Sequence, residues 1–533
     1  MLRKVETYWP STGKILLLGA GGITGRYYVQ LLLSNGYEVF AYDEKFHPER
    51  ISSDQKTWQE QIQKKYNNIH FIFDLKNKPE VDGVTLSPGF PLSNEIIQHY
   101  QKNNCPVFSE LEYTLAQLPN PLVAITGTDG KSTVTALTAH LINHANVGLK
   151  AIACGNYGIP LSQLLVERID RDTVLVCEMS SYMLEKSRNL RPKIAVFLNA
   201  SADHLNRYSS FQEYVETKRN VLGQSPKNTI LITQETLWED WPNRPSVEKL
   251  ILVQKKDNTI HSDSFSIAYE ENQRCLFFQD KKMVSIKDLP LQGSHNEENI
   301  LFALEASSHL IGSLGGNIHV PPRQNAKSRQ SRFLLSSRTK LKIWCGMAVH
   351  PCTARVGGVS ANPMGMFSPV FVQALKSFSP LPHRYEVFVQ GEDFTAINDS
   401  KATTTQAVLA ALKSTPLPVV LFLGGRSKGE DYSLLKEKLT DLTKHGSVIL
   451  AFGESAGEFQ KALGSLIHKT FPTFLEALQY AANHFFGNNR SYTWLLSPAA
   501  TAWDEFSNFA ERGDFFKKFV TEMLHQSNFI DKV

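Results

Sequence analysis

A chain of 533 residues exceeds what one compact core supports, and at roughly 100–200 residues per domain it holds about three. With 42% hydrophobic and 20% charged residues, it is not disordered by composition and predicts globular cores. The net charge of +4, with acids and bases nearly balanced, gives no global electrostatic case for nucleic acid or a membrane surface as partner.

The cysteines Cys105, Cys154, Cys177, Cys275, Cys345 and Cys352 form no Cys-x-x-Cys pair, so neither a disulfide scaffold nor a structural zinc is expected. The N-terminus lacks the apolar stretch and small-residue cleavage site of a secretory signal. No apolar run reaches the roughly 18 residues that span a bilayer. A cytoplasmic protein is the expectation.

In chain order, a strand over 15–18 runs into Gly19-Ala20-Gly21-Gly22-Ile23-Thr24-Gly25, and a second strand over 37–42 ends at Asp43. This is the spacing of a nucleotide-binding βαβ unit. Its glycines admit a diphosphate, and the acid can accept from a ribose or base. It fits a dinucleotide cofactor or a UDP-sugar, and a merely tight turn is the remaining alternative. Gln117-Leu118-Pro119-Asn120-Pro121 then marks a domain boundary.

The strand over 122–125 leads into Gly127-Thr128-Asp129-Gly130-Lys131-Ser132-Thr133, which opens a helix. Glycines let backbone N–H groups approach phosphate oxygens, the helix N-terminus favours an anion, Lys131 neutralises phosphate charge, and a hydroxyl can ligate magnesium. A strict Walker A loop would carry glycine where Ile125 stands. Further on, Glu178 follows a strand over 173–177, and His204 follows one over 194–198 with Asn199 and Asp203 between. A carboxylate at a strand end facing a phosphate loop is the usual Mg2+ station. By itself, a histidine such as His204 is more often a satisfied hydrogen-bonding residue than a ligand.

Between Glu305 and Glu386 there is no acidic residue, while Arg323, Lys327, Arg329, Arg332, Arg338, Lys340, Lys342 and Arg355 crowd the middle. Apolar periodicity is weak over 316–368, which predicts a looped-out basic insertion. Pro380-Leu381-Pro382 marks a second boundary. Strands over 419–423, 448–452 and 494–496 follow, with Asn398-Asp399-Ser400-Lys401-Ala402-Thr403, Gly424-Gly425-Arg426-Ser427-Lys428 and Ser497-Pro498-Ala499-Ala500-Thr501 at strand ends. Loops of this composition contact anions. The alternation of apolar runs with helical stretches predicts an α/β chain with parallel sheets, whose ligands bind at the carboxyl ends of strands.

The order of these motifs resembles the Mur ligases of peptidoglycan synthesis. The resemblance rests on Ser87-Pro88-Gly89, the 127–133 loop, Gly155-Asn156-Tyr157-Gly158, Glu178-Met179-Ser180-Ser181-Tyr182, the stretch 199–208, Lys218, His295-Asn296, Pro382-His383-Arg384 and the stretch 398–403. It implies a Rossmann-like UDP-binding domain over 1–118, a central P-loop-type ATPase domain over 119–379 holding the 316–368 insertion, and a C-terminal Rossmann-like α/β domain over 380–533. The implied reaction uses ATP and Mg2+ to join D-glutamate to UDP-N-acetylmuramoyl-L-alanine through an acyl phosphate, by a monomer.

By the same resemblance, Gly127, Thr128, Asp129, Gly130, Lys131, Ser132 and Thr133 hold ATP phosphates, Asn296 and Asn299 lie by adenine, and Arg384 and Asp399 lie by the nucleotide. Ser132, Glu178, His204 and Lys218 would ligate the metal, Lys218 as a carbamate. Lys131, Lys218, His204 and Glu178 form the implied catalytic set. Asp43 would meet uracil, Asn156 and Ser180 the muramoyl substrate, and Lys401, Thr403, Lys428 and Phe509 the phosphate or D-glutamate. Two departures stand out. Ala502 replaces the family's serine, leaving Thr501 as a possible hydroxyl, and Ala20 replaces the first glycine of the UDP loop. A folylpolyglutamate-type ligase, an L-alanine-adding ligase and a UDP-sugar-binding protein with lost catalysis remain open alternatives.

Overall fold

A computed structural model describes residues 9–526 apart from 89, 91–93, 146, 188, 202–206, 254–263, 272, 292, 315–362, 392 and 488–489, and apart from the side chains of 363–368. Three sheets built mainly of parallel strands follow one another along the chain. The first has β1 (Lys14–Leu18), β2 (Glu38–Tyr42), β3 (Ile69–Ile72), β4 (Gly83–Leu86) and β5 (Val107–Ser109) in the order β3-β2-β1-β4-β5. The four consecutive β1 residues Ile15, Leu16, Leu17 and Leu18 are fully buried, as expected of a parallel strand covered on both faces.

The second sheet has β6 (Leu122–Thr126), β7 (Ala151–Gly155), β8 (Val174–Glu178), β9 (Ile194–Phe197), β10 (Ile230–Gln234) and β11 (Lys249–Val253), ordered β11-β10-β9-β6-β8-β7. Strand β6 therefore has β8 on one side and β9 on the other, with Ile125 opposite Glu178 and Thr126 opposite Phe197. An antiparallel sheet of β12 (Phe265–Glu270), β13 (Gln273–Phe278) and β14 (Lys281–Ser285) comes next. It shares a core with the helices Lys131–His144 and Ser294–Ser313, where Phe265, Ile267, Leu276, Leu137, Leu141, Phe302 and Leu310 pack together.

The last sheet has β15 (Glu386–Gln390), β16 (Phe394–Asn398), β17 (Val419–Gly424), β18 (Val448–Phe452), β19 (Lys469–Phe471) and β20 (Tyr492–Leu496), ordered β15-β16-β20-β17-β18-β19. Only β15 runs antiparallel. Every strand expected from the apolar runs is present, with ends within two residues of those expected. The structure adds the β12–β14 sheet, which periodicity did not reveal. Most of the expected 316–368 insertion lies outside the described residues, and its last residues open a helix, Pro363–Ser377. Among the described residues no helix is long and apolar enough to cross a membrane, and Cys105, Cys154, Cys177 and Cys275 are free.

Candidate active site

The loop after β6 turns tightly because two of its glycines take left-handed backbone angles, Gly127 at φ 156° and Gly130 at φ 80°. Neither tolerates a side chain. A Cβ on Gly127 would lie 2.9 Å from Leu198 Cβ, and one on Gly130 would lie 2.3 Å from Asn299 Oδ1. Gly130 caps the helix Lys131–His144, which points its free N–H groups at the site.

Asn199, just beyond β9, braces this loop. Its Oδ1 accepts from the amides of Thr128 at 3.0 Å and Asp129 at 2.9 Å, and its Nδ2 donates to the Asp129 carbonyl at 3.2 Å. The Lys131 ammonium donates to the Thr128 carbonyl at 2.6 Å. Lys218, almost wholly buried, donates to the Gly127 carbonyl at 2.7 Å and stands 4.4 Å over the Tyr214 ring.

Glu178 sits at the end of β8, buried beside the loop. Its Oε2 accepts from the Ser132 hydroxyl at 2.5 Å and its Oε1 from Asn156 Nδ2 at 2.6 Å. Burial alone would raise its pKa, but Lys131, Arg384 and these two hydrogen bonds together hold it below the ordinary carboxylate value. Glu178 is thus ionised at neutral pH, which is the state a hard cation needs. Arg384 reaches in from the segment before β15, and its Nη2 donates to Ser132 Oγ at 2.6 Å.

Lys401 stands 4.7 Å over the Phe509 ring. Burial lowers its pKa to about 7, and Arg384 and Lys131 push the same way while Glu178 opposes. The site therefore concentrates three basic groups around one buried carboxylate. Asp399, beyond β16, accepts from the Tyr385 amide at 3.0 Å and the Ser497 hydroxyl at 2.8 Å. Burial raises its carboxyl to about 7, against the lowering pull of those hydrogen bonds and Arg384.

A cleft of about 970 Å3 runs past these groups, lined by Asp129, Gly130, Asn296, Asn299, Arg384 and Asp399 among others. That volume suits a nucleotide-sized ligand. Asn299 Nδ2 donates to Asn296 Oδ1 at 3.1 Å, so the two buried amides present a joint polar edge from the first turns of the helix Ser294–Ser313. Nearby His295 is held neutral, its pKa lowered to about 4 by burial.

Not every expected residue joins this cluster. Asp43 is at the end of β2, accepting from the Gly21 amide at 2.8 Å and the Lys45 amide at 3.0 Å, and so shapes the first glycine loop. Ser180 caps the short helix Ser181–Leu184 through the Met183 amide. Thr403 accepts from Lys428 at 3.2 Å at an exposed edge. The Thr501 hydroxyl, an alternative to the serine missing at Ala502, is committed to the Arg426 carbonyl at 2.9 Å. His204 lies outside the described residues.

Sequence reasoning missed Arg512. It is fully buried in the helix Phe509–Gln526 and donates to Ser400 Oγ at 3.0 Å and to the carbonyls of Gly424, Ser400 and Ala500 at 3.1, 2.9 and 3.0 Å. One guanidinium thereby gathers the exit loops of β16, β17 and β20. The only sequence cue is a lone arginine on the inner face of an amphipathic helix.

The profile of the Mur ligase middle domain matches residues 125–307. The chain is 30% identical over 447 residues to the UDP-N-acetylmuramoylalanine–D-glutamate ligase of Chlorobium phaeobacteroides, covering 83% of this chain and 85% of that one. It is 29% identical over 451 residues to the ligase of the same name from Salinibacter ruber, covering 84% and 85%. Among solved structures it is similar to UDP-N-acetylmuramate-alanine ligase from Thermotoga maritima, with a TM-score of 0.52, 17% identity and coverage of 96% of this chain and 100% of that one. A MurF ligase from Thermotoga maritima in complex with ADP gives a TM-score of 0.51 at 14% identity, covering 99% and 98%. These two likenesses concern the fold. With the relative from Chlorobium phaeobacteroides matched at this identity over most of both chains, the chain belongs to the Mur ligase family.

Proposed function

We propose that this protein is an ATP-dependent ligase that joins D-glutamate to UDP-N-acetylmuramoyl-L-alanine through an acyl phosphate, in the synthesis of peptidoglycan precursors. The observation that carries this most is the bonded chain Arg384–Ser132–Glu178–Asn156, in which the units of the second and the last sheet converge on one buried carboxylate beside a phosphate-type loop. The names of the relatives supply the substrates. Residues 1–118, 119–379 and 380–533 would serve the UDP-sugar, the ATP and the amino acid in turn.

In the first step a carboxylate oxygen of the alanyl group attacks the γ-phosphorus of ATP, and ADP leaves. In the second, the amine of D-glutamate attacks the acyl carbon, loses a proton, and expels inorganic phosphate. Lys131, Arg384 and Lys401 would bear the charge that gathers on phosphoryl oxygens, since fixed cations in a partly desolvated site act without reorganising. Asn199 keeps the loop in the shape that leaves the helix N-terminus facing the phosphates. Lys401 would sit at the junction of phosphate and incoming amino acid, backed by Phe509.

The donor set fits Mg2+, a hard ion that takes one or two carboxylates along with substrate phosphates. Ser132 Oγ and the ionised Glu178 carboxylate would hold it, with His204 and Lys218, the latter as its carbamate, as the further ligands proposed. When bound, it supplies charge neutralisation on the transferring phosphoryl group.

The test is ADP release by purified protein with UDP-N-acetylmuramoyl-L-alanine and a panel of D- and L-amino acids. Turnover confined to D-glutamate is expected. Turnover of UDP-N-acetylmuramate with L-alanine, or of a folate with glutamate, would replace the proposal.

A further inference from the structure

Lys186 is an unusual residue that the chemistry above does not use. It is only 5% exposed, yet it carries an amine into the junction between the first two sheets. Its Nζ donates to the Pro88 carbonyl at 3.1 Å, to the Ser87 carbonyl at 3.5 Å and to the Phe90 carbonyl. Three acceptors meet the three protons of one ammonium. Its own carbonyl accepts from the Ser109 hydroxyl at 3.3 Å, at the end of β5. Residue 186 thus grips the first sheet's unit at two points, though it belongs to the second.

The loop it grips lies at a functional position. In the first sheet the chain passes from β1 outward to β2 and β3, then crosses to β4 on the other side of β1. The carboxyl ends of β1 and β4 therefore flank the topological switch point, where open α/β sheets bind their ligands. Ser87 follows β4 directly, and its hydroxyl donates at 2.7 Å to the carbonyl of Gly19, the first residue of the glycine loop after β1. Lys186 closes this arrangement from outside.

Its neighbour is tied instead to the second sheet's own unit. Glu185 accepts from Arg207 at 2.9 and 2.7 Å and from the Tyr208 hydroxyl at 2.6 Å. Burial lowers the Lys186 pKa to about 7, Arg207 adds to this, and Glu185 opposes it. The three carbonyl hydrogen bonds offset part of that desolvation cost.

We propose that Lys186 is a positioning residue for the UDP-sugar substrate: its ammonium is a tethered cation in a nest of carbonyls that fixes the β4 exit loop against the glycine loop. The kinetic part rests on the ligase function proposed above; the structural part does not.

Both parts are tested with Lys186→Ala in the full chain, which leaves the three carbonyls around a space that an ammonium ion can enter. Hydrogen exchange by mass spectrometry over residues 83–90 should quicken by about tenfold, the worth of a lost charge-assisted hydrogen bond. Added ammonium chloride should slow it again, and tetramethylammonium chloride at equal ionic strength should not. In turnover, KM for UDP-N-acetylmuramoyl-L-alanine should rise by about tenfold or more, with KM for ATP changed less than about twofold and the same salt selectivity of rescue. Unchanged exchange over 83–90 would overturn the tethered-cation role whatever the enzyme's substrates. Faster exchange with an unmoved KM, or equal losses toward both substrates, would overturn the positioning role. If the variant is largely unfolded by circular dichroism, Lys186→Met serves instead, and exchange over 83–90 no faster than elsewhere in it would overturn the proposal. Failure of the wild-type protein to turn over these substrates would count against the ligase function and leave the exchange result standing.

Discussion

Arg384 donates from Nη2 to the Ser132 hydroxyl at 2.6 Å across 252 residues of sequence. Ser132 in turn donates to Glu178 at 2.5 Å, so the segment entering the last sheet is tied to the helix that opens the phosphate-type loop. This bond makes the cleft a property of two units rather than one. Arg384→Ala should therefore lower kcat by about a hundredfold, in the range for losing one preorganised donor, while the melting temperature stays within a few degrees. A variant with normal kcat would detach Arg384 from the reacting groups.

Glu178→Gln keeps the side chain's shape but removes the charge and one of the two acceptor oxygens. Turnover should fall by about a hundredfold or more, since the cation station loses its only described carboxylate. Stability should fall, because the surroundings that hold this carboxyl below its ordinary pKa favour its charged form, and Lys131 and Arg384 lose their counter-charge. Titration of Mg2+ into the variant checks it: a lowered Mg2+ affinity is expected, and wild-type affinity would place the metal elsewhere.

Gly130→Ala forces a left-handed backbone on alanine and drives its Cβ to within 2.3 Å of Asn299 Oδ1. Loss of ATP binding by calorimetry, with destabilisation of at least about 1 kcal/mol, is expected. Unaltered ATP affinity would show that the loop does not hold the nucleotide.

Asp399 gives a pH signature. Its carboxyl rises from an ordinary 3.8 to about 7, chiefly through burial. Between those values the native state binds more protons than the unfolded chain, so this group's contribution to stability is full below about pH 4 and is lost as pH climbs toward 7. Asp399→Asn removes that slope. Urea unfolding of both proteins from pH 4 to 8 should show the stability difference shifting steadily toward the variant by an amount on the order of a few kcal/mol. A constant difference would mean that Asp399 is an ordinary carboxylate.

Lys218 is placed by its hydrogen bond to the Gly127 carbonyl. If it is carbamylated, Lys218→Ala should be nearly inactive, and small carboxylic acids should restore part of the rate. Full activity without them would remove Lys218 from the site.

Much of this was legible in the sequence, for identifiable reasons. Buried parallel strands are unbroken apolar runs, so β1, β6, β8 and β17 announce themselves, and the residues just beyond them are where the cleft forms. The β12–β14 sheet was hidden in part because its second hairpin turn, between β13 and β14, is Gln279-Asp280, both with positive φ, in place of the Asn-Gly or Asp-Gly that normally signals such a turn. Arg512 and Lys186 were invisible for another reason. Each works through backbone carbonyls up to 112 and 99 residues distant, and a carbonyl leaves no mark on sequence. The same holds for the brace of Asn199 on the phosphate-type loop, 70 residues away.

The central claim is that the chain activates a carboxylate by phosphorylation and then joins it to D-glutamate. Its most direct test is turnover of UDP-N-acetylmuramoyl-L-alanine carrying heavy oxygen in the alanyl carboxylate, with ATP, Mg2+ and D-glutamate. An acyl phosphate requires one heavy oxygen to appear in the inorganic phosphate for each D-glutamyl product formed. Product formation with unlabelled phosphate, or no product with D-glutamate at all, would contradict it.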